Sequence, residues 1–432
     1  MDETVELFRV NPSTSARSGL HQPKANSPNP KRMCFRINMV RILFKMCFLS
    51  GTFPYVYNPH SNKYVFSKWG VVFIMIALSM SPIVMFTTFT KSLLYTSKSV
   101  LEPWFFYGGT LIQLNIVISR IFKIQRHFYL CSQVHKVYLE HERIIPACWF
   151  WPGIAILMIS LIDFSLGVTQ YRSVSKSGIE LFYQLGYSTV NLQFCTMCNI
   201  LDFAFIHLHK TLKQILVSTK LGIQNNKESK DTLLNEKRKE ILELIDKFKK
   251  LKVLVSQLNN EYKPELLFLI LIYMNYIVLA SHFLIRVFQK FTFDSLPYPC
   301  WKMCKFAFQT CYICFSCQYL VKNATAIPKL LLQFNLLLCE QNFLNVLHLF
   351  LHSLNVYKIE IKVMRIVVID KQLILMIIAY ATPFIALYYK QIKIRPTESS
   401  AASLWLPNYK TTYNSSIVKP LFSKFIFLFN NE

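Results

Sequence analysis

Two acids stand inside long apolar runs: Asp163 in "WPGIAILMISLIDFSLGV" and Asp202 in "STVNLQFCTMCNILDFAFIHL". A carboxylate inside a membrane-length run is costly, so it marks a cavity, an ion path or a buried partner. Asp163 is the deeper of the two and is the candidate for a ligand pocket or cavity. Asp202 lies near the end of its run, where interfacial water is expected to solvate it. Asn275 and His282, in "PELLFLILIYMNYIVLASHFLIRVF", are seven apart and so share one helix face. They read either as pocket residues or as hydrogen bonds between helices.

Nothing in the chain supports catalysis. It has no Gly-rich phosphate loop, no G-x-S-x-G and no H-E-x-x-H. An enzyme is excluded on these grounds, and no cofactor is called for. Cys195-x-x-Cys198 and Cys311-x-x-Cys314-x-x-Cys317 have metal-like spacing, yet neither has His or acidic company. Cys300, Cys304, Cys311 and Cys314 share one arc of a helix, which favours close packing of small residues over zinc. His207 and His209 face different ways on a helix, so a metal is not expected there either.

The elements that carry these residues are membrane spans. Only 16% of the residues are charged and 53% are hydrophobic, whereas soluble domains carry about 25% charge. Spanning helices need roughly 20 apolar residues. Seven runs qualify, at about 69–89, 104–122, 147–168, 179–208, 264–288, 300–321 and 373–389. The net charge of +25 fits loops that meet anionic lipid better than a nucleic-acid partner. Of the 48 Lys and Arg, 34 fall in the N-terminal segment and the even-numbered loops. That bias places the N terminus in the cytoplasm and the C terminus outside.

The fold class is therefore an all-α integral membrane protein of seven transmembrane helices with long cytoplasmic helical extensions. Residues 1–35 read as a disordered cytoplasmic tail, 36–391 as the membrane domain and 392–432 as an extracellular tail. Within the largest cytoplasmic piece, 207–263, a break at Asn225–Asn226 precedes apolar residues with helical period from 233 to 258. That stripe reads as a solvated amphipathic helix, or as helices four and five extended below the membrane and packed against subunit neighbours. Asn414-Ser-Ser416 falls outside and is a glycosylation acceptor; Asn323-Ala-Thr325 falls inside and should be unmodified.

Several stretches resemble the insect gustatory receptor family. "LSGTFPYVYNPHSNKYVFSKWG" is similar to the segment before that family's first span, through Gly51, Pro54, Phe66, Ser67 and Trp69. "VSQLNNEYKPELLFLI" matches the start of its fifth helix at Leu258, Asn259, Tyr262 and Leu266–Leu267. "QNFLNVLH", with Phe343 and His348, looks like the stretch before its seventh. "VVIDKQLIL" matches at Ile369, Asp370, Lys371 and Leu373. The resemblance implies a ligand-gated, non-selective cation channel for taste, opened by a small-molecule tastant. It implies a homo- or heterotetramer in the plasma membrane, with helices one to six around a pocket and helix seven lining the pore.

The family closes helix seven on Thr-Tyr, five apolar residues, then Gln-Phe. Here the ungapped match puts Pro383 and Phe384 at the first pair and Lys390 and Gln391 at the last. Phe384, Leu387, Tyr388 and Gln391 share one face, on which Leu387 and Tyr388 would form an apolar constriction and Gln391 a polar ring. In the ungapped register Lys390 rings the cation path instead. Pro383 removes one intrahelical bond and is expected to kink the helix. The damaged signature keeps a second reading open, a non-conducting subunit or co-receptor. A secondary transporter is disfavoured, since no inverted repeat is visible.

Overall fold

The computed structural model describes residues 54–58, 63–76, 79, 114–116, 118–141, 151–171, 174–225, 230–290, 297–335, 351–352, 359–363 and 367–394. Both tails, Asn414, and Phe343 with His348 lie outside them. The described elements, in chain order, are β1 (Tyr55–Asn58), β2 (Lys63–Phe66), α1 (Ile124–His141), α2 (Trp151–Tyr171) and α3 (Val174–Asn225). After these come α4 (Lys230–Lys290), α5 (Pro297–Asn335), β3 (Lys362–Val363), β4 (Val367–Val368) and α6 (Lys371–Ile394). Helix α1 continues from the second expected span, and α2 to α6 carry spans three to seven.

The long helices exceed any membrane. Helix α3 has 52 residues and α4 has 61. At 1.5 Å per residue they run about 78 and 92 Å, against a hydrocarbon layer of roughly 30 Å. Both therefore project well beyond the bilayer. Among the described residues, Gln184–Ser218 is long and apolar enough to cross by composition, and Trp151–Asp163 and Lys371–Leu387 are shorter apolar stretches.

Helix α3 is the hub. Nearly every side chain from Gln184 to Phe205 is buried, because α2, α4 and α5 all pack on it. Helices α3 and α5 run parallel and in register. Lys305 meets Gln184, Gln309 meets Ser188 and Asn323 meets Asp202, and each pair is 121 residues apart. Only a parallel pair keeps one sequence offset over so many turns.

The amphipathic stripe of α4 finds cover inside the same chain. Ile241, Leu244, Ile245, Phe248, Leu251, Val255 and Leu258 are buried, and Phe248 sets its ring 5.6 Å from Phe205 of α3. The reading of this stripe as a fully solvated face is corrected, since most of its described residues are buried against the same chain. Helix α4 lies against α3, so much of the apolar stripe is covered within one protomer, while Leu242 stays exposed.

Among the described residues two hairpins, unforeseen in the sequence, anchor the ends of the bundle. β1 and β2 pair antiparallel, Tyr55 opposite Phe66 and Asn58 opposite Lys63. Strand alternation sends Tyr55 and Tyr64 onto α1, against Phe128 at 4.5 Å and His135 at 5.4 Å. The Ser67 amide donates to the Pro54 carbonyl at 3.0 Å. A Cβ on Gly70 would come within 2.5 Å of Pro54 Cα, so only glycine lets the first span start there. β3 and β4 pair Lys362 with Val368, and the Asn259 side chain of α4 accepts from the Lys362 amide at 3.2 Å.

Candidate functional site

The polar residues of the bundle gather into one column between α3 and α5. At its upper end Asp163, on the buried side of α2 with Ile156 and Ser160, meets two lysines of α5. Lys302 Nζ and Lys305 Nζ lie 2.9 and 3.0 Å from Asp163 Oδ2, and Lys305 also donates to Gln184 Oε1. All three charged groups are at most 7% exposed. The cluster holds because each charge has an opposite charge in hydrogen-bond range, which buried ions require.

An aromatic layer adjoins the charges. Phe306 stacks on Tyr276 at 4.4 Å and meets Tyr273 at 5.7 Å and Tyr187 at 6.3 Å. Lys305 Nζ sits 5.6 Å from the Phe306 ring. The column then continues turn by turn. Gln309 Nε2 donates to Ser188 Oγ at 2.9 Å, Asn191 Nδ2 to Tyr273 Oη at 3.0 Å and Asn199 Nδ2 to Tyr312 Oη at 3.1 Å. Its last rung is Asn323 Nδ2 donating to Asp202 at 2.6 Å.

Asp202 is therefore corrected: it is 4% exposed and paired with Asn323, not solvated at the interface. The cause is the register of α5, which carries Asn323 to its level. Cys195, Cys198, Cys314 and Cys317 are buried and form no disulfide, and the Cys195 thiol donates to Asn191 Oδ1 at 3.1 Å. Among the described residues no group of His, Cys, Asp and Glu could hold a metal. Asn275 is exposed on α4. His282 lies in the same helix, its side chain outside the described set. Asn275 therefore stands outside a buried seam.

A second charged cluster closes the bundle from below. Arg120 is buried, with Nε 3.4 Å from Glu265 Oε1 and its guanidinium 4.3 Å over the Tyr262 ring. Arg120 Nη1 donates to Gln193 Oε1 at 3.4 Å, and Ser119 Oγ to Glu265 at 3.2 Å. This links span two, α3 and α4.

Helix α6 packs on α4 and α5 along one face. Leu373, Ile377 and Ala381 are buried there, and Phe384 is half-buried, its ring 5.0 Å from Tyr380. Leu375, Met376, Ile378, Thr382, Pro383, Ala386 and Lys390 are exposed. Leu387 is 46% exposed. Tyr388 and Gln391 fall within α6, their side chains outside the described set. At 100° per residue Gln391 belongs with the packed face and Lys390 with the uncovered one. The helix stays continuous through Pro383 to Ile394, and Thr382 Oγ1 donates to the Ile378 carbonyl at 2.8 Å. Asp370 caps its start, with Oδ1 accepting from the Gln372 amide at 2.8 Å.

The family profile described as 7tm Chemosensory receptor matches residues 40–385. The chain belongs to the 7tm chemosensory receptor family. The fold agrees with two solved structures of the insect olfactory receptor OR5 from Machilis hrabei. One has a TM-score of 0.61 at 10% identity, covering 82% of this chain and 98% of that one. The other, in complex with eugenol, has a TM-score of 0.61 at 8% identity, covering 83% and 99%. No curated protein matches the chain. The seven-helix membrane architecture and the kinship with insect chemoreceptors expected from the sequence hold.

Sequence reasoning missed Lys302, Lys305, Gln184 and the Arg120–Glu265 pair. A signal was present. Gln184, Ser188, Asn191, Cys195 and Asp202, and Lys302, Lys305, Gln309, Tyr312 and Ser316, recur at alternating steps of three and four or their sum. That is the pattern of one polar stripe on each of two facing helices.

Proposed function

We propose that this receptor is a ligand-gated, non-selective cation channel of the plasma membrane, acting in taste as a homo- or heterotetramer. Its N terminus is cytoplasmic. A small molecule binds in the bundle around Asp163, Lys302, Lys305 and the Tyr273–Tyr276–Phe306 aromatic layer. Support for a small-molecule ligand comes from the OR5 complex with eugenol.

The observation that carries the channel reading is the two-sidedness of α6. One face is packed on α4 and α5, and the other offers apolar residues and Lys390 to something beyond the protomer. Four copies meeting on that face enclose a route, with Leu387 at its edge as an apolar gate. Ligand binding shifts the closed–open balance through its differential affinity for the two states. Lys390 on the uncovered face also favours a second reading, a subunit that does not conduct alone. Whole-cell recording of the chain expressed by itself, over a panel of tastants, separates the two. Tastant-evoked cation current supports the channel; silence with surface expression and current on co-expression supports the co-receptor.

A further inference from the structure

The lower end of the bundle has a cleft of about 700 Å³ between α1 and α4, away from the pocket and from α6. Gln125, Arg126 and Tyr129 line it from one side and Gln257, Asn260 and Glu261 from the other. Phe122 closes the second span three residues before Gln125, and Pro264 opens the fifth three residues after Glu261. The cleft therefore sits where hydrocarbon gives way to lipid headgroups.

Its chemistry is two-signed. Gln257 Oε1 and Glu261 Oε2 are buried and accept no hydrogen bond from the described residues. They are four apart on α4, so both acceptors stand on one face. Burial holds the Glu261 carboxyl above its ordinary range, against the pull of Lys123 and Arg126. Lys123 spends its ammonium on the Glu261 main-chain carbonyl, at 3.1 Å, not on the carboxylate. Arg126 lines the opposite wall and is exposed. The complement of such a site carries N–H donors at one end and an anion at the other, within one small group. A bare metal ion does not fit, because Lys123 and Arg126 stand beside the acceptors.

We infer that this cleft binds the headgroup of an aminophospholipid. The primary ammonium donates to Gln257 Oε1 and Glu261 Oε2, and the phosphate lies on Arg126. A choline headgroup has no N–H to offer these acceptors and is rejected. The inference rests on the membrane placement of spans two and five. It does not depend on conduction.

The test uses the full receptor, purified in phosphatidylcholine nanodiscs doped with phosphatidylethanolamine or phosphatidylserine, with bound lipid counted by native mass spectrometry. Wild type should retain either amino lipid over phosphatidylcholine by roughly tenfold, the worth of one charge-assisted hydrogen bond. Gln257→Leu and Glu261→Leu, each of which removes an acceptor, should each bring that ratio near one. Arg126→Gln, at an exposed position that leaves the fold intact, should weaken retention of every phospholipid. Equal retention of choline and amine lipids overturns the inference, as does a preference unchanged in all three variants. Soluble phosphoethanolamine binding without lipid retention also overturns it, and assigns the cleft to a water-borne ligand outside the bilayer. A receptor silent in recordings that still selects amino lipids leaves it standing.

Discussion

At the scale of single residues, the strongest commitments are the buried charges. Asp163 is the counter-charge for both Lys302 and Lys305. Asp163→Asn leaves two buried ammonium groups without it, and breaking such a pair costs about 3–5 kcal/mol. The purified variant should melt well below wild type, while Asp163→Asn combined with Lys302→Met and Lys305→Met should recover much of the loss. A recovery absent from the triple variant would show that the three do not act as a unit. His127 makes the opposite kind of prediction. Burial, then the Arg120 charge, holds its imidazole well below the ordinary histidine range, with Lys123 adding to the effect. The folded ring therefore stays neutral while the unfolded ring takes a proton near pH 6.5. Stability is complete above that value and falls as pH drops below it, by up to about 1.4 kcal/mol per pH unit. Melting followed from pH 7.5 to 5.5 should fall more steeply in wild type than in His127→Phe.

At the scale of elements, two short devices set where helices begin. Gly70 lets the first span pass over Pro54, and Gly70→Ala drives a methyl group into the Pro54 backbone at 2.5 Å. Overpacking of this kind costs about 1–3 kcal/mol, so the variant should show reduced surface labelling and a lower melting temperature. Asp370→Ala removes the cap on α6 and should cost about 1 kcal/mol. Asp370→Asn, which keeps the acceptor, should restore most of it. Both devices fall inside stretches whose sequence already looked distinctive. Pro54, Ser67, Asn259 and Asp370 were legible as positions, while their reasons were not, because each reason is a contact with a distant partner. The helix break at Asn225 and the stripe on α4 were legible because local period and turn chemistry report them directly. Asp163 stood out as an acid, but its lysines lie 139 and 142 residues away, and no local pattern carries such a pairing. Asp202 was misread for the same reason: only the parallel register of α3 and α5 brings Asn323 to it.

At the scale of the whole molecule, the question is what covers the free face of α6. Leu375, Met376 and Ile378 are exposed, and Lys390 ends the same face. Lipid would suit the apolar residues as well as neighbouring subunits would, so the lysine discriminates. On a four-fold cation route each Lys390 ammonium, about 10 Å from the axis at an effective dielectric near 20, opposes a passing cation by roughly 1.7 kcal/mol. Four such charges depress conductance strongly at low salt and less as salt screens them. Lys390→Gln should then raise single-channel cation conductance several-fold, with the gain shrinking as ionic strength rises. Gln391→Lys, about 100° around the helix on the packed side, should change it far less. If α6 faces acyl chains instead, neither substitution alters conductance and the salt dependence is the same in all three proteins. A larger effect at Gln391 than at Lys390 would rotate the helix and return the polar ring to the glutamine. Recordings at two salt concentrations decide among these arrangements without knowledge of the natural ligand, provided any tastant opens the channel.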